Sequence, residues 1–157
     1  MKEIPLSRGL VALVDDEDYE WLGRWKWSIM EVAGGKFYAA RQVRGDKVVC
    51  ILMHRVIVNT PIDMHTDHVD GNGLNNQRAN LRICTPSQNQ ANRRNQTGGS
   101  SVFKGVTWEK GKWRARIYPD GEKVSLGGFR EEQQAAKAYN DAALLFYGGF
   151  ARLNKIN

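Results

Sequence analysis

Met64-His65-Thr66-Asp67-His68-Val69-Asp70-Gly71-Asn72-Gly73 runs from an extended stretch of mixed polarity into a turn rich in Gly and Asn, so Asp67 and His68 stand where a strand ends. Downstream, Asn80-Leu81-Arg82-Ile83-Cys84-Thr85 alternates like a second short strand. Pro86 stops it, and Ser87 is the expected N-cap of a helix whose first turns carry Gln88, Asn89 and Asn92. The order strand, long loop, strand, helix turns Asn89 back across the hairpin towards Asp67. Adjacent strand residues point to opposite faces. Asp67 and His68 therefore serve one site only if the strand end twists or the site straddles it.

The donor types constrain the chemistry. A carboxylate and an amide oxygen are hard ligands that suit Mg²⁺ or Mn²⁺ better than Zn²⁺. Mg²⁺ is commonly held by one or two protein groups, with water and substrate phosphate completing the shell. Two protein ligands suffice when DNA supplies the third partner.

Over residues 53–95 the chain resembles the HNH endonucleases of the phage and homing type. The resemblance lies in Met53-His54-Arg55, Asp67-His68-Val69-Asp70-Gly71-Asn72-Gly73-Leu74-Asn75-Asn76, Asn80-Leu81-Arg82 and Gln88-Asn89. It implies a ββα-metal core in which Asp67 and Asn89 hold a divalent metal, His68 is the general base and Asn80 clamps the loop. The implied reaction is one-metal hydrolysis of a phosphodiester. The family often has His where this chain has Asn89, and the Asn favours Mg²⁺ or Mn²⁺. Many relatives also carry paired Cys-x-x-Cys motifs, whereas Cys50 and Cys84 are too few and too far apart for such a zinc site. His54 and His65 read as ordinary histidines, with His65 a minor candidate for a substrate contact.

In the C-terminal third, Trp113, Ala115 and Ile117 share one parity, and Val124 and Leu126 form a second apolar alternation beyond the turn Pro119-Asp120-Gly121. With a strand over residues 103–108, this predicts a three-stranded antiparallel meander. A helix follows over residues 131–147, with Ala135, Tyr139, Ala142 and Phe146 as its buried stripe and Gly148-Gly149 as its end. The opposite sheet parity carries Arg114, Arg116 and Tyr118, joined by Lys123, Ser125 and Thr107, a face suited to a DNA groove. An exposed Trp108 also weighs against a sheet face that is merely solvated.

Residues 101–154 resemble the plant ethylene-response-factor, or apetala-type, DNA-binding domain. The resemblance lies in Phe103-Lys104-Gly105-Val106, Gly111-Lys112-Trp113-Arg114-Ala115-Arg116-Ile117, Leu126-Gly127-Gly128-Phe129, Ala135-Ala136-Lys137-Ala138-Tyr139-Asn140-Asp141-Ala142-Ala143 and Leu153-Asn154. It implies DNA contacts by Lys104, Thr107, Arg116, Tyr118, Lys123 and Ser125. Lys112 and Arg114 join them as basic neighbours. The plant pattern has Arg at the Thr107 and Tyr118 positions and Trp at Ser125, so the plant target sequence is not inherited.

Charge links the two regions. The chain has 157 residues and net charge +6. Residues 78–116 hold nine basic side chains against the single acid Glu109, whereas residues 15–20 hold five acids. A polyanion would meet the basic segment, including Arg93 and Arg94 between the two regions. Nothing resembles a signal peptide or an 18-residue apolar span, and two Cys fit a reducing cytosol of a bacterial or phage-infected cell. Residues 35–48 echo residues 111–124 without gaps, with Gly35, Lys36, Ala39, Gly45, Lys47 and Val48 identical, which predicts a related small sheet near the N-terminus. The cluster Trp21, Trp25 and Trp27 reads as core.

The expected class is α+β in four parts: a strand-rich N-terminal region over 1–50, the nuclease motif over 51–95, a linker over 96–100, and a sheet-plus-helix domain over 101–157. The expected function is a metal-dependent endonuclease acting on double-stranded DNA as a monomer, with no membrane and no obligate protein partner, nicking one strand. The alternatives are a DNA-binding regulator whose nuclease-like part is only structural, and an RNA-directed protein.

Overall fold

The sequence alternates short apolar runs with Gly-rich turns, and it folds into several small antiparallel sheets with short helices between them. The structure is a computed structural model in which residues 1–93 and 99–156 are described. Arg94 and residues 95–98, the greater part of the expected linker, lie outside the described residues. The chain divides into two compact units, Met1–Thr85 and Pro86–Asn157.

In the first unit, β1 (Lys2–Pro5) pairs with β2 (Val11–Val14), and α1 (Asp16–Leu22) follows. A meander comes next, β3 (Ser28–Val32), β4 (Lys36–Arg44) and β5 (Val48–Leu52), all antiparallel. The helix α2 (Met53–Ile57) leads to the hairpin β6 (His65–His68) and β7 (Leu81–Cys84). One core joins these elements: Ile4, Ala12, Val14, Leu22, Trp27, Met53, Ile57 and Leu81 are buried together. Trp27 donates its indole N–H to the Leu22 carbonyl at 2.9 Å, which satisfies the one polar atom it buries. Trp25 departs from the expected core cluster. It is 38 % exposed, with the Arg41 guanidinium 4.5 Å from its ring centroid, because a cation over an indole face can remain at the surface.

The second unit opens with α3 (Pro86–Ala91). Pro86 is the first helical residue, where its missing N–H costs nothing, so Ser87 lies inside the helix and not at the N-cap. Next come β8 (Val106–Glu109), β9 (Lys112–Ile117) and β10 (Val124–Phe129), antiparallel in the order β10-β9-β8. The sheet packs on α4 (Glu132–Tyr147). The helix buries Ala135, Ala136, Tyr139 and Ala143, while Phe146 is 44 % exposed, so the stripe runs one residue off the expected one at its C-terminal end. Gly105 has φ +74°, and a Cβ there would sit 2.1 Å from the Tyr139 ring. Only glycine lets the loop before β8 approach the helix this closely.

The internal echo has a structural counterpart. Lys36 to Ala39 lie on β4 and Lys112 to Ala115 on β9, each the middle strand of a three-stranded meander. Gly35 and Gly111, just before those strands, both take left-handed φ, +68° and +74°. The coarse expectation, a mixed helix-and-sheet chain with a basic sheet packed on one helix, agrees with the structure.

Candidate active site

The hairpin β6–β7 positions the residues singled out at its closed end. His68 is the last residue of β6 and pairs with Leu81, while Asp67 pairs with Arg82. The connection over residues 69–80 is held by its own short polar side chains. Asp70 Oδ1 accepts from Asn72 N at 2.7 Å, Asn72 Oδ1 accepts from Leu74 N, and Asp70 Oδ2 accepts from Asn75 Nδ2. Burial opposes ionisation of Asp70, but the bonds from Asn72, Asn75 and Asn80 together lower its pKa. Asn80 spans the loop: its Oδ1 accepts from Asp70 N at 3.0 Å, and its Nδ2 donates to Asp70 Oδ1 and to the Asn75 carbonyl at 2.8 Å.

The loop is also tied to the core. Leu13 N donates to the Leu74 carbonyl and Asn76 N to the Leu13 carbonyl, extending β2 by one parallel bridge. Asp15 accepts from Arg78 N at 2.8 Å and from Gln77 Nε2, and buried Asp18 takes the Arg78 guanidinium. Gly73 lies so close to β4 that a Cβ would be 2.3 Å from the Phe37 carbonyl oxygen.

His68 enters a cluster of rings. Its centroid is 5.0 Å from that of His54, edge to face, and 5.8 Å from Tyr38, which is itself 5.3 Å from His54. His68 Nε2 lies 3.3 Å from Oδ1 of the fully buried Asn76. Burial pushes the His68 pKa down, against the Asn76 hydrogen bond and the charges of Asp70 and Asp67, so its imidazole is a neutral base at pH 7. Burial, then the neighbouring His68 and Arg55, holds His54 lower still, at about 3, and its Nδ1 is buried with no hydrogen-bond partner. Tyr38, His54 and Asn76 are the site residues that sequence reasoning gave no role. His54 lay within the matched Met53-His54-Arg55, but only the fold shows that its ring abuts His68.

Asp67 is nearly buried, and its Oδ2 accepts from Arg82 Nε at 2.9 Å and Nη2 at 2.7 Å. The strand alternation separates it from the ring cluster: Asp67 meets the neighbouring strand's guanidinium while His68 meets α2 and β4. Among the described residues no three His, Cys, Asp or Glu side chains gather as a cage for an ion. The donors nevertheless fit a sparsely ligated hard cation. A carboxylate and an amide oxygen are hard donors, and hard divalent ions need only one or two protein oxygens.

Asn89 lies on α3 in the second unit, half-buried. On the sheet, Lys112, Tyr118, Lys123 and Ser125 are exposed and Arg114 and Thr107 half-buried, with Arg114 paired opposite Thr107 across β9 and β8. Arg116 is turned to Glu109, donating from Nη1 to Oε1 at 2.7 Å and from Nη2 to Oε2. Trp108, 48 % exposed, stacks edge to face on Trp113 at 5.0 Å. Arg93 is exposed, whereas the Lys104 ammonium faces main-chain carbonyls instead of solvent.

No family model matches the chain. It is 30 % identical over 154 residues to an uncharacterized HNH endonuclease of Acanthamoeba polyphaga mimivirus, an alignment covering 96 % of this chain and 78 % of that protein. It is 34 % identical over 94 residues to Protein 3.8 of Escherichia phage T7, covering 59 % of this chain and 77 % of the relative. A likeness of another kind is to the AP2-like ethylene-responsive transcription factor TOE2 of Arabidopsis thaliana, 37 % identical over 87 residues, 54 % of this chain but only 18 % of the plant protein. A hairpin ending in Asp-His, followed by this relationship over most of both chains, defines the class. The chain belongs to the HNH endonuclease family. Part of it is in addition similar to AP2-type plant proteins.

Proposed function

We propose that this protein is a metal-dependent HNH endonuclease of the phage or homing type that hydrolyses a phosphodiester of double-stranded DNA. One site per chain leads to a nick in one strand. His68 takes the proton from the attacking water, and the observation that carries the reading is its burial against His54, Tyr38 and Asn76, which keeps the imidazole neutral and its ring fixed. Asn80 keeps the loop after His68 in one shape through three side-chain hydrogen bonds. Asp67 and Asn89 are the residues that would hold Mg²⁺ or Mn²⁺, and Arg82 orients the Asp67 carboxylate. A bound divalent cation supplies charge stabilisation to the departing 3′ oxygen.

In this reading the basic sheet face holds the duplex, with Lys112, Arg114, Tyr118, Lys123 and Ser125 as contacts, Thr107 and Arg116 beside them, and Arg93 and Arg94 following the backbone. The likeness to AP2-type proteins supports this role. It also supports a second reading, a non-catalytic DNA-binding regulator, in which the Arg82 ion pair makes Asp67 a purely structural carboxylate.

Incubating supercoiled plasmid with the purified chain in Mg²⁺, in Mn²⁺ and in EDTA separates the two. Open circles in the metal arms and none in EDTA are expected. Tight binding with no cleavage in any arm would favour the regulator.

A further inference from the structure

The arginines around the β6–β7 hairpin are engaged by the protein itself. Arg82 holds Asp67. Arg78 donates to both oxygens of Asp18, with Glu17 at 2.8 Å. Arg55, on α2, donates to the carbonyl oxygens of Met64 at 2.8 Å and Pro61 at 2.7 Å. Lys36 differs from all three. It is exposed, and among the described residues no acid or carbonyl takes its ammonium.

Lys36 is the first residue of β4, opposite Val32 of β3, and Tyr38 lies two positions on, opposite Met30. Alternate strand residues share a face, so Lys36 and Tyr38 rise from the same side of β4. Tyr38 is the residue whose ring stands 5.8 Å from that of His68. The loop that follows His68 crosses the same side, with Gly73 against the Tyr38 ring and the Phe37 carbonyl. The one acid of that loop, Asp70, is occupied by Asn72, Asn75 and Asn80, which leaves the lysine unpaired. The Lys36 charge is felt at His68: burial is the main cause of the lowered His68 pKa, and the ammonium acts in the same direction.

The approach to Lys36 is open. Gly34 and Gly35 precede it, both at positive φ, and a Cβ on either would meet nothing within 4 Å. Bare backbone of this kind lets a large ligand come close.

We propose that Lys36 binds the scissile phosphate: its ammonium donates to a non-bridging oxygen of the phosphodiester under attack and holds that group beside His68. This inference rests on the nuclease reading above, and every residue it uses lies in the first unit. Hydrolysis builds negative charge on the phosphate oxygens, and a cation already placed next to the neutral base stabilises that charge.

The test uses the full chain with Lys36→Gln and Lys36→Arg beside wild type. DNA affinity is measured in EDTA across a salt series, and single-turnover nicking in Mg²⁺ at protein concentrations giving equal DNA occupancy. Lys36→Gln is expected to lower the slope of log affinity against log salt by about 1, the signature of one lost phosphate contact. Its nicking rate at equal occupancy should fall about 10²-fold, the scale of one donor aimed at developing charge. Lys36→Arg, which keeps a cation and its donors, should recover most of both losses. Urea midpoints of the three proteins should coincide, because the side chain is exposed and unpaired.

A smaller salt slope with an unchanged rate overturns the proposal, since the lysine then touches backbone away from the cut. A slower rate with an unchanged slope overturns it too, because Lys36 would act only through its field on His68. So does a Lys36→Gln chain equal to wild type in both. Should Lys36→Gln fold poorly, Lys36→Met carries the same comparison. A wild-type chain that never nicks overturns the nuclease reading and this inference together, whereas an active wild type beside an unaffected Lys36→Gln removes the inference alone.

Discussion

At the scale of single residues, burial is what distinguishes His54 and His68 from surface histidines. The folded chain holds the His54 pKa at about 3, against 6.5 for an ordinary histidine, so between those values the unfolded chain binds a proton that the folded chain refuses. Stability is therefore fully present above pH 6.5 and falls as the pH drops towards 3. Urea midpoints from pH 7 to pH 4 should show this decline, and His54→Gln should flatten it. Parallel profiles for the two proteins would show that His54 does not carry the effect. Asp67 makes the opposite point, since its charge is kept in the interior by Arg82. Removing the guanidinium in Arg82→Met takes the paired counter-charge from a buried carboxylate, and the expected cost is about 3 kcal/mol, read as a lower urea midpoint at pH 7. A variant as stable as wild type would mean that water replaces Arg82 without penalty. Sequence alone identified Asp67 and His68 as a pair of interest but not these partners. Tyr38 and His54 reach His68 only through contacts of long range in the chain, and no local pattern marks Lys104 for carbonyls over solvent.

At the scale of elements, the loop between β6 and β7 works because its Asn and Asp side chains replace the ladder that a strand would supply. The hairpin itself was legible, since strand alternation and a Gly- and Asn-rich turn are local signals. Its attachment to β2 and β4 was not, because a parallel bridge from Leu13 to Asn75 and the contact of Gly73 with β4 depend on the folded core. Two local expectations shifted. Proline's fitness for the first helical position moved the start of α3 to Pro86, and α4 buries Ala143 where Ala142 was expected and leaves Phe146 exposed. Asn80→Ala deletes three bonds of roughly 1 kcal/mol each, so a loss of about 2–3 kcal/mol is expected, with cleavage falling alongside. Gly73→Ala should be worse at one methyl's cost, because its Cβ would lie 2.3 Å from the Phe37 carbonyl oxygen, which is backbone, and 2.6 Å from the Tyr38 ring. Thermal unfolding of the two variants checks the order, and an Asn80→Ala chain more damaged than Gly73→Ala would reverse it.

At the scale of the molecule, the chain combines an HNH family relationship over most of its length with a partial AP2-type likeness. Charge divides along the sequence in the same sense, acids concentrated in residues 15–20 and bases in residues 78–116. No helix among the described residues is long and apolar enough to cross a membrane. The basic sheet face predicts salt-dependent DNA binding. Arg114→Ala should weaken affinity and lower the slope of log affinity against log salt by about 1, while Lys104→Met leaves that slope unchanged. Equal slopes for Arg114→Ala and wild type would move the DNA contact away from this sheet.

The most direct test of the nuclease reading is the single-turnover rate of plasmid nicking by His68→Ala beside wild type, at protein concentrations giving equal DNA occupancy in Mg²⁺. The account predicts that His68→Ala binds as well as wild type and nicks slower by about 10²–10⁴-fold, the usual share of a general base. Equal nicking by the two proteins at equal occupancy would contradict it and take the base out of the His54, Tyr38 and Asn76 cluster.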